Sequence, residues 1–121
     1  MLAKANRITR GADYRTTVRR GTRFSGTNTL TYIRPNPDSD VVRFGFIVSK
    51  AVGVAVRRNL VRRRLKAAAY DLLPRFGDGG VDVVIRALPA SAQAPWATLH
   101  EEVSRAADRF GSRRSPRPSH Q

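Results

Sequence analysis

The chain has 121 residues, with 23 Lys plus Arg against 9 Asp plus Glu, for a formal net charge of +14 and a pI near 11.7. The absence of cysteine excludes a disulfide framework and any cysteine-ligated zinc site. No apolar run approaches the roughly 20 residues of a membrane span, and the opening MLAKANRITRG has no signal-peptide core, so a cytoplasmic protein is expected. With 40% hydrophobic residues it should fold as one domain, and its charge asks for an anionic partner, nucleic acid or a membrane surface.

In chain order, the basic residues up to Thr9 are expected to be mobile. Ala12–Arg20 reads as a short helix capped near Gly11 to Asp13 and ended by Gly21, with Tyr14 and Val18 sharing a face. A short strand is expected near Phe24. Asn28–Arg34 is β-branched and alternating, and a turn follows at PNPDSD. Val41–Ser49 places Val42, Phe44, Phe46 and Val48 on one side, the pattern of a central strand.

The segment from Ala55 has helical periodicity, with Val61, Leu65, Ala68 and Leu72 on a core-facing stripe, and Pro74 and Gly77 bring it to an end. After the FGDGG turn, Val81–Ala87 makes another strand, with Val83 and Ile85 inward. The last helix begins near Pro95 and carries Trp96, Leu99, Val103, Ala106 and Phe110 on one face, with Gly111 as its stop. Residues 1–110 are thus predicted to form one domain and residues 111–121 a basic, disordered tail. The fold class expected is an α/β sandwich in the order α-β-β-β-α-β-α.

The run AVRRNLVRRRLKAAA, Ala55–Ala69, contains no acidic residue. Arg58, Arg62 and Lys66 recur at i, i+4, i+8 beside the apolar stripe, and Asn59 and Arg63 widen that face. Like charges at this spacing weaken an isolated helix by roughly 0.2–0.5 kcal/mol per pair, and ordinary soluble faces intersperse both signs. Contact with nucleic acid explains the arrangement better than solubility does. By contrast, the two histidines, His100 and His120, form no metal pair, and no glycine-rich phosphate loop is present. The carboxylates are scattered, and Glu101 and Glu102 with His100 read as a solvated surface. Metal-dependent phosphoryl chemistry needs carboxylates converging on an ion, which argues against a protein-only nuclease. Tyr14 and Tyr32, whose hydroxyls suit half-wet positions, either pack the core or stack unpaired bases.

The run SKAVGVAVRRNLVRRRLKAA, Ser49–Ala68, resembles the signature of the bacterial ribonuclease P protein subunit family. Ser49, Lys50, Gly53, Ala55, Val56, Arg58 and Asn59 match by type and spacing, and Arg62, Arg63 and Lys66 keep the later basic positions. Arg7, Asp13, Tyr14, Gly21, Thr22, Tyr32, Pro89 and Ala90 extend the resemblance over roughly residues 6 to 110.

The resemblance implies a two-layer α+β sandwich with a four-stranded sheet and a left-handed βαβ crossover, against the usual right-handed rule. It implies a subunit that binds a catalytic RNA and the 5′ leader of precursor tRNA and promotes metal-dependent endonucleolytic removal of that leader. The RNA would carry the chemistry, with Mg2+ held mainly by RNA phosphates and no obligate protein partner or membrane involved. It assigns Arg58, Asn59, Arg62, Arg63 and Lys66, with Lys50, to the RNA, and Tyr14, Val18 and Tyr32 to the leader. No catalytic or metal-ligating side chain is implied. Val18 stands where the family often has phenylalanine, Leu60 replaces a frequent arginine, and Ala87 takes a position usually basic, with Arg86 just before it. Arg57 and Arg64 add charge the pattern does not require. Composition alone also suits a ribosomal or RNA-chaperone-like protein that binds structured RNA with no role in cleavage.

Overall fold

Alternation along the strands and the 3.6-residue repeat of the helices sort the apolar side chains onto two faces of one sheet. The computed structural model describes residues 2–77 and 79–114, the side chains of Arg113 and Arg114 excepted. The elements are α1 (Gly11–Arg20), β1 (Thr22–Ser25), β2 (Thr29–Pro35), β3 (Val42–Ile47), α2 (Ala55–Leu72), β4 (Val81–Ala87) and α3 (Trp96–Arg114), the order expected. Short 3₁₀ turns occupy Lys4–Asn6, Leu73–Phe76 and Pro89–Gln93.

The sheet order is β1-β2-β4-β3. Pairings β1–β2 and β2–β4 are antiparallel, and β3–β4 is parallel with α2 as the connection. On one face Ile33, Phe44, Val83 and Ile85 meet Val61, Leu65 and Leu72 of α2 and Leu99, Val103 and Phe110 of α3. On the other, Tyr32 and Val84 pack with Ile8 beneath Tyr14 and Val18 of α1. The predicted stripe of α2 is fully inside: Val61, Leu65, Ala68 and Leu72 are all buried.

The structure corrects several expectations. Strand β3 is an edge strand, not a central one, because the α2 connection returns the chain so that β4 lies between β2 and β3. Alternation reports which face is buried and says nothing about how many neighbours a strand has.

The N-terminal segment, expected to be mobile, covers that edge. The Ile8 N–H donates to the Phe44 carbonyl at 2.8 Å, Asn6 Nδ2 donates to the Val42 carbonyl at 2.8 Å, and Leu2 is buried in the core. Such cover hides the unpaired backbone groups of an edge strand.

Helix α3 continues past Gly111 to Arg114. A glycine stops a helix by turning left-handed, and Gly111 has no positive φ. Residues 115–121 of the predicted tail lie outside the described residues. Finally, the α1 N-cap is Arg10, which makes no side-chain cap bond.

Polar side chains lock the layers. Asp82, 1% exposed, accepts from Arg43 Nε at 2.9 Å, Arg43 Nη2 at 2.8 Å and Asn36 Nδ2 at 3.0 Å, the parallel register having set Arg43 opposite it. Hydrogen bonding to Asp82 outweighs desolvation and raises the Arg43 pKa above its already high ordinary value, so the guanidinium stays charged. Arg43 Nη1 also lies 3.5 Å from Asp13 of α1. Glu102 is not the solvated carboxylate expected: it accepts from the backbone N–H and Nδ2 of Asn28 and from Thr29 Oγ1, tying α3 to β2. His100 Nε2 meets Asp71 Oδ2 at 2.6 Å and its ring packs on Trp96, which is 41% exposed instead of buried on the α3 stripe.

Gly45 lets α1 lie close to the sheet. A Cβ there would come within 2.5 Å of the Tyr14 ring, whose hydroxyl oxygen accepts from the Phe46 N–H at 3.2 Å. Gly45→Ala is therefore expected to cost about 1–3 kcal/mol, as overpacking does, and to push Tyr14 outward. Denaturant melts, with Tyr14 side-chain NMR shifts, check both effects.

Candidate RNA interface

Gly53 has φ +150°, a conformation L side chains rarely adopt, and it closes two successive turns in which the Val52 and Gly53 N–H groups donate to the Ser49 and Lys50 carbonyls. This is the physical reason for a glycine before the basic helix. The turn leaves Lys50 exposed at the approach to α2. The first turn of α2 carries no acidic residue and no side-chain cap, so the partial positive charge of the helix N-terminus adds to that of the arginines.

Along α2 the predicted residues share one open surface. Asn59, Arg63 and Lys66 are exposed, and Arg58 and Arg62 are half-buried at its margin. Arg62 Nη1 donates to Asn59 Oδ1 at 3.1 Å, which holds the two side chains together. The Nε of Arg58 is buried and meets no acceptor in the described protein. None of the basic residues of α2 forms an ion pair among the described residues, whereas Arg43, Arg75 and Arg105 all do.

Two arginines of the same helix have another use. Arg57 Nη1 donates to the Ala92 carbonyl at 3.3 Å and Arg64 Nη1 to the Ala94 carbonyl at 2.8 Å, docking the segment between β4 and α3. Leu60, which stands where the family often has an arginine, is half-buried.

A second surface lies on the opposite side of the sheet. Tyr14, Val18 and Ile47 wall an open cleft whose rim carries Arg15, Arg19 and Arg86. Tyr32 does not take the half-wet position considered for it: it is 8% exposed, under Tyr14 and Val18. Of the three arginines, Arg86 is named from the sequence, beside Ala87, but neither Arg15 nor Arg19 is. The i, i+4 pair Arg15 and Arg19 runs beside Tyr14 and Val18, a signal that was available. Ala87 is buried on the helix-covered face, and alternation turns Arg86 to the cleft instead. Tyr14 also borders a separate groove, with Phe46, Arg62 and Lys66.

Fold and surface together define a class: a small, strongly basic α+β protein built around one helix whose arginines and lysine meet no acidic side chain among the described residues. Comparison narrows it. The family described as Ribonuclease P matches residues 2–111. The Ribonuclease P protein component of Clavibacter michiganensis subsp. michiganensis is 50% identical over 109 residues, 90% of this chain and 96% of that one. That of Pseudarthrobacter chlorophenolicus is 45% identical over 118 residues, covering 98% and 86%. Among solved structures, the Staphylococcus aureus RNase P protein superposes with a TM-score of 0.78 at 21% identity over 88% of this chain and 96% of that one. The Thermotoga maritima RNase P protein gives 0.74 at 20% over 85% and 96%. The chain belongs to the bacterial ribonuclease P protein-component family, the protein subunits of a ribonucleoprotein endoribonuclease that partner its RNA subunit.

Proposed function

We propose that the open face of α2, with Arg58, Asn59, Arg62, Arg63 and Lys66, and Lys50 before it, binds the catalytic RNA, and that the cleft of Tyr14 and Val18 over Tyr32 takes the single-stranded 5′ leader of precursor tRNA. One observation carries this reading: the α2 cations have no ionic partner among the described residues. Planar guanidinium forks suit phosphate oxygens. The apolar cleft wall suits unstacked bases, and Arg15, Arg19 and Arg86 on its rim suit the leader backbone. The protein acts in the cytoplasm and needs no other protein.

In this reading leader removal would be metal-dependent hydrolysis of a phosphodiester, and Mg2+ bound to the RNA would supply its activated water and leaving-group stabilisation. The residues present do not suit a protein-held ion: among the described residues no three His, Asp or Glu side chains converge, and Asp82, Glu102 and Asp71 are engaged with Arg43, Asn28 and His100. No bond-breaking step falls to this chain. Its contribution is to hold two RNA strands in place.

Reconstitution with a bacterial ribonuclease P RNA at low Mg2+ tests the proposal. Adding the protein should raise cleavage of precursor tRNA and tighten its binding; no gain in either would leave a structured-RNA binder outside the cleavage reaction. In the same assay Arg86→Ala should weaken leader-bearing substrate, lower its salt slope by about 0.7, the value for one single-strand phosphate, and spare mature tRNA. Equal weakening of both substrates would remove Arg86 from the leader path.

A further inference from the structure

Tyr70 stands on the outward line of α2 at i+7 from Arg63 and i+11 from Asn59, and 53% of it is exposed. It lies beyond the segment that resembles the family signature. It is not an isolated surface ring. The N-terminal segment folds back alongside, Leu2 enters the core, and the Arg7 guanidinium holds the Leu2 carbonyl through Nε at 3.2 Å and Nη2 at 2.8 Å. The result is a cavity of about 330 Å³ between the segment and the helix, at the small end of the range of ligand sites. Leu2, Ala67 and Tyr70 are its apolar lining, and Arg7, Arg63 and Lys66 are its cations. Among the described residues no acidic side chain lines it.

We infer that this cavity holds one unpaired nucleotide of the RNA subunit, its base stacked on the Tyr70 ring and its phosphate between Arg63 and Lys66. An apolar pocket for an aliphatic group has no use for three cations, and a phosphate site has no use for an exposed ring. A nucleotide needs both, since aromatic rings stack bases and cations track the backbone. The occupant belongs to the RNA subunit and not to the leader, because the cavity continues the face of Asn59 and Arg63 while the leader cleft lies across the sheet. In that assignment the inference rests on the function proposed above.

The experiment measures affinity for the RNA subunit, without substrate, for Tyr70→Ala, Tyr70→Phe and the Arg58→Gln/Arg62→Gln pair. Tyr70→Ala should lose roughly 5- to 150-fold, the loss of one base stack, with the salt slope unchanged because no charge is removed. Tyr70→Phe should stay within about twofold, since the stacking ring is kept. A photoreactive phenylalanine analogue at position 70 should crosslink to a single nucleotide of the RNA subunit in the active holoenzyme. Full affinity in Tyr70→Ala, while the arginine pair still weakens binding, overturns the nucleotide site and leaves the α2 interface standing. A crosslink to the leader also overturns it. If the arginine pair has no effect either, the proposed interface itself fails.

Discussion

Replacing Arg58 and Arg62 together by glutamine is expected to weaken binding to the RNA subunit about 100-fold at moderate salt. Two charge-assisted hydrogen bonds contribute roughly 1.5–3 kcal/mol each, less than additively for neighbours. The same change should flatten the dependence of log affinity on log salt by about 1.4 to 1.8, since each phosphate contact contributes about 0.7 to 0.9. The two readouts are independent: a misfolded variant loses affinity without a defined change in slope. These are the right residues to remove because Arg58 has a buried Nε with no acceptor and Arg62 holds Asn59. Neutralising Arg57 and Arg64 should instead loosen the segment carrying the Ala92 and Ala94 carbonyls. An unchanged slope in the Arg58/Arg62 variant would move the RNA interface off this helix.

Arg43→Ala should destabilise the fold by about 3–5 kcal/mol, the usual effect of removing one partner from a buried charge pair. Asp82 would keep Asn36 at 3.0 Å and Arg34 at 3.9 Å, which places the loss toward the lower end. The shift of the urea midpoint measures it. Replacing both partners, as Arg43→Met with Asp82→Leu, should recover most of the stability, because the penalty comes from the stranded carboxylate and not from the missing attraction. A loss below about 1 kcal/mol in Arg43→Ala would mean that water reaches Asp82 and the pair behaves as a surface ion pair. Because Arg43 also meets Asp13, the variant should loosen α1 and with it the wall of the leader cleft.

Local patterning was enough to recover the elements. The strand expected over Val81–Ala87 is β4, and the α2 stripe of Val61, Leu65, Ala68 and Leu72 is the one that is buried. The cationic face was legible for the same reason: residues three and four apart on a helix must share a surface, whatever the rest of the chain does. Glu102, next to Glu101 on a helix, has the local pattern of solvent-facing charge, and its partner Asn28 lies 74 residues away in the chain, beyond the reach of any local spacing.

The sequence by itself determined the order of helices and strands, the stripe that faces the core and the helix that carries the charge, since each depends on spacings of a few residues along one element. Only the tertiary structure decided that β3 is an edge covered by the N-terminal segment, that Arg43 meets Asp82, that Arg15 and Arg19 share a cleft rim with Arg86, and that Leu2 and Arg7 build a cavity beside Tyr70. Those facts depend on which distant segments become neighbours, and strand order, register and the path of a terminal segment are set by packing the whole chain at once.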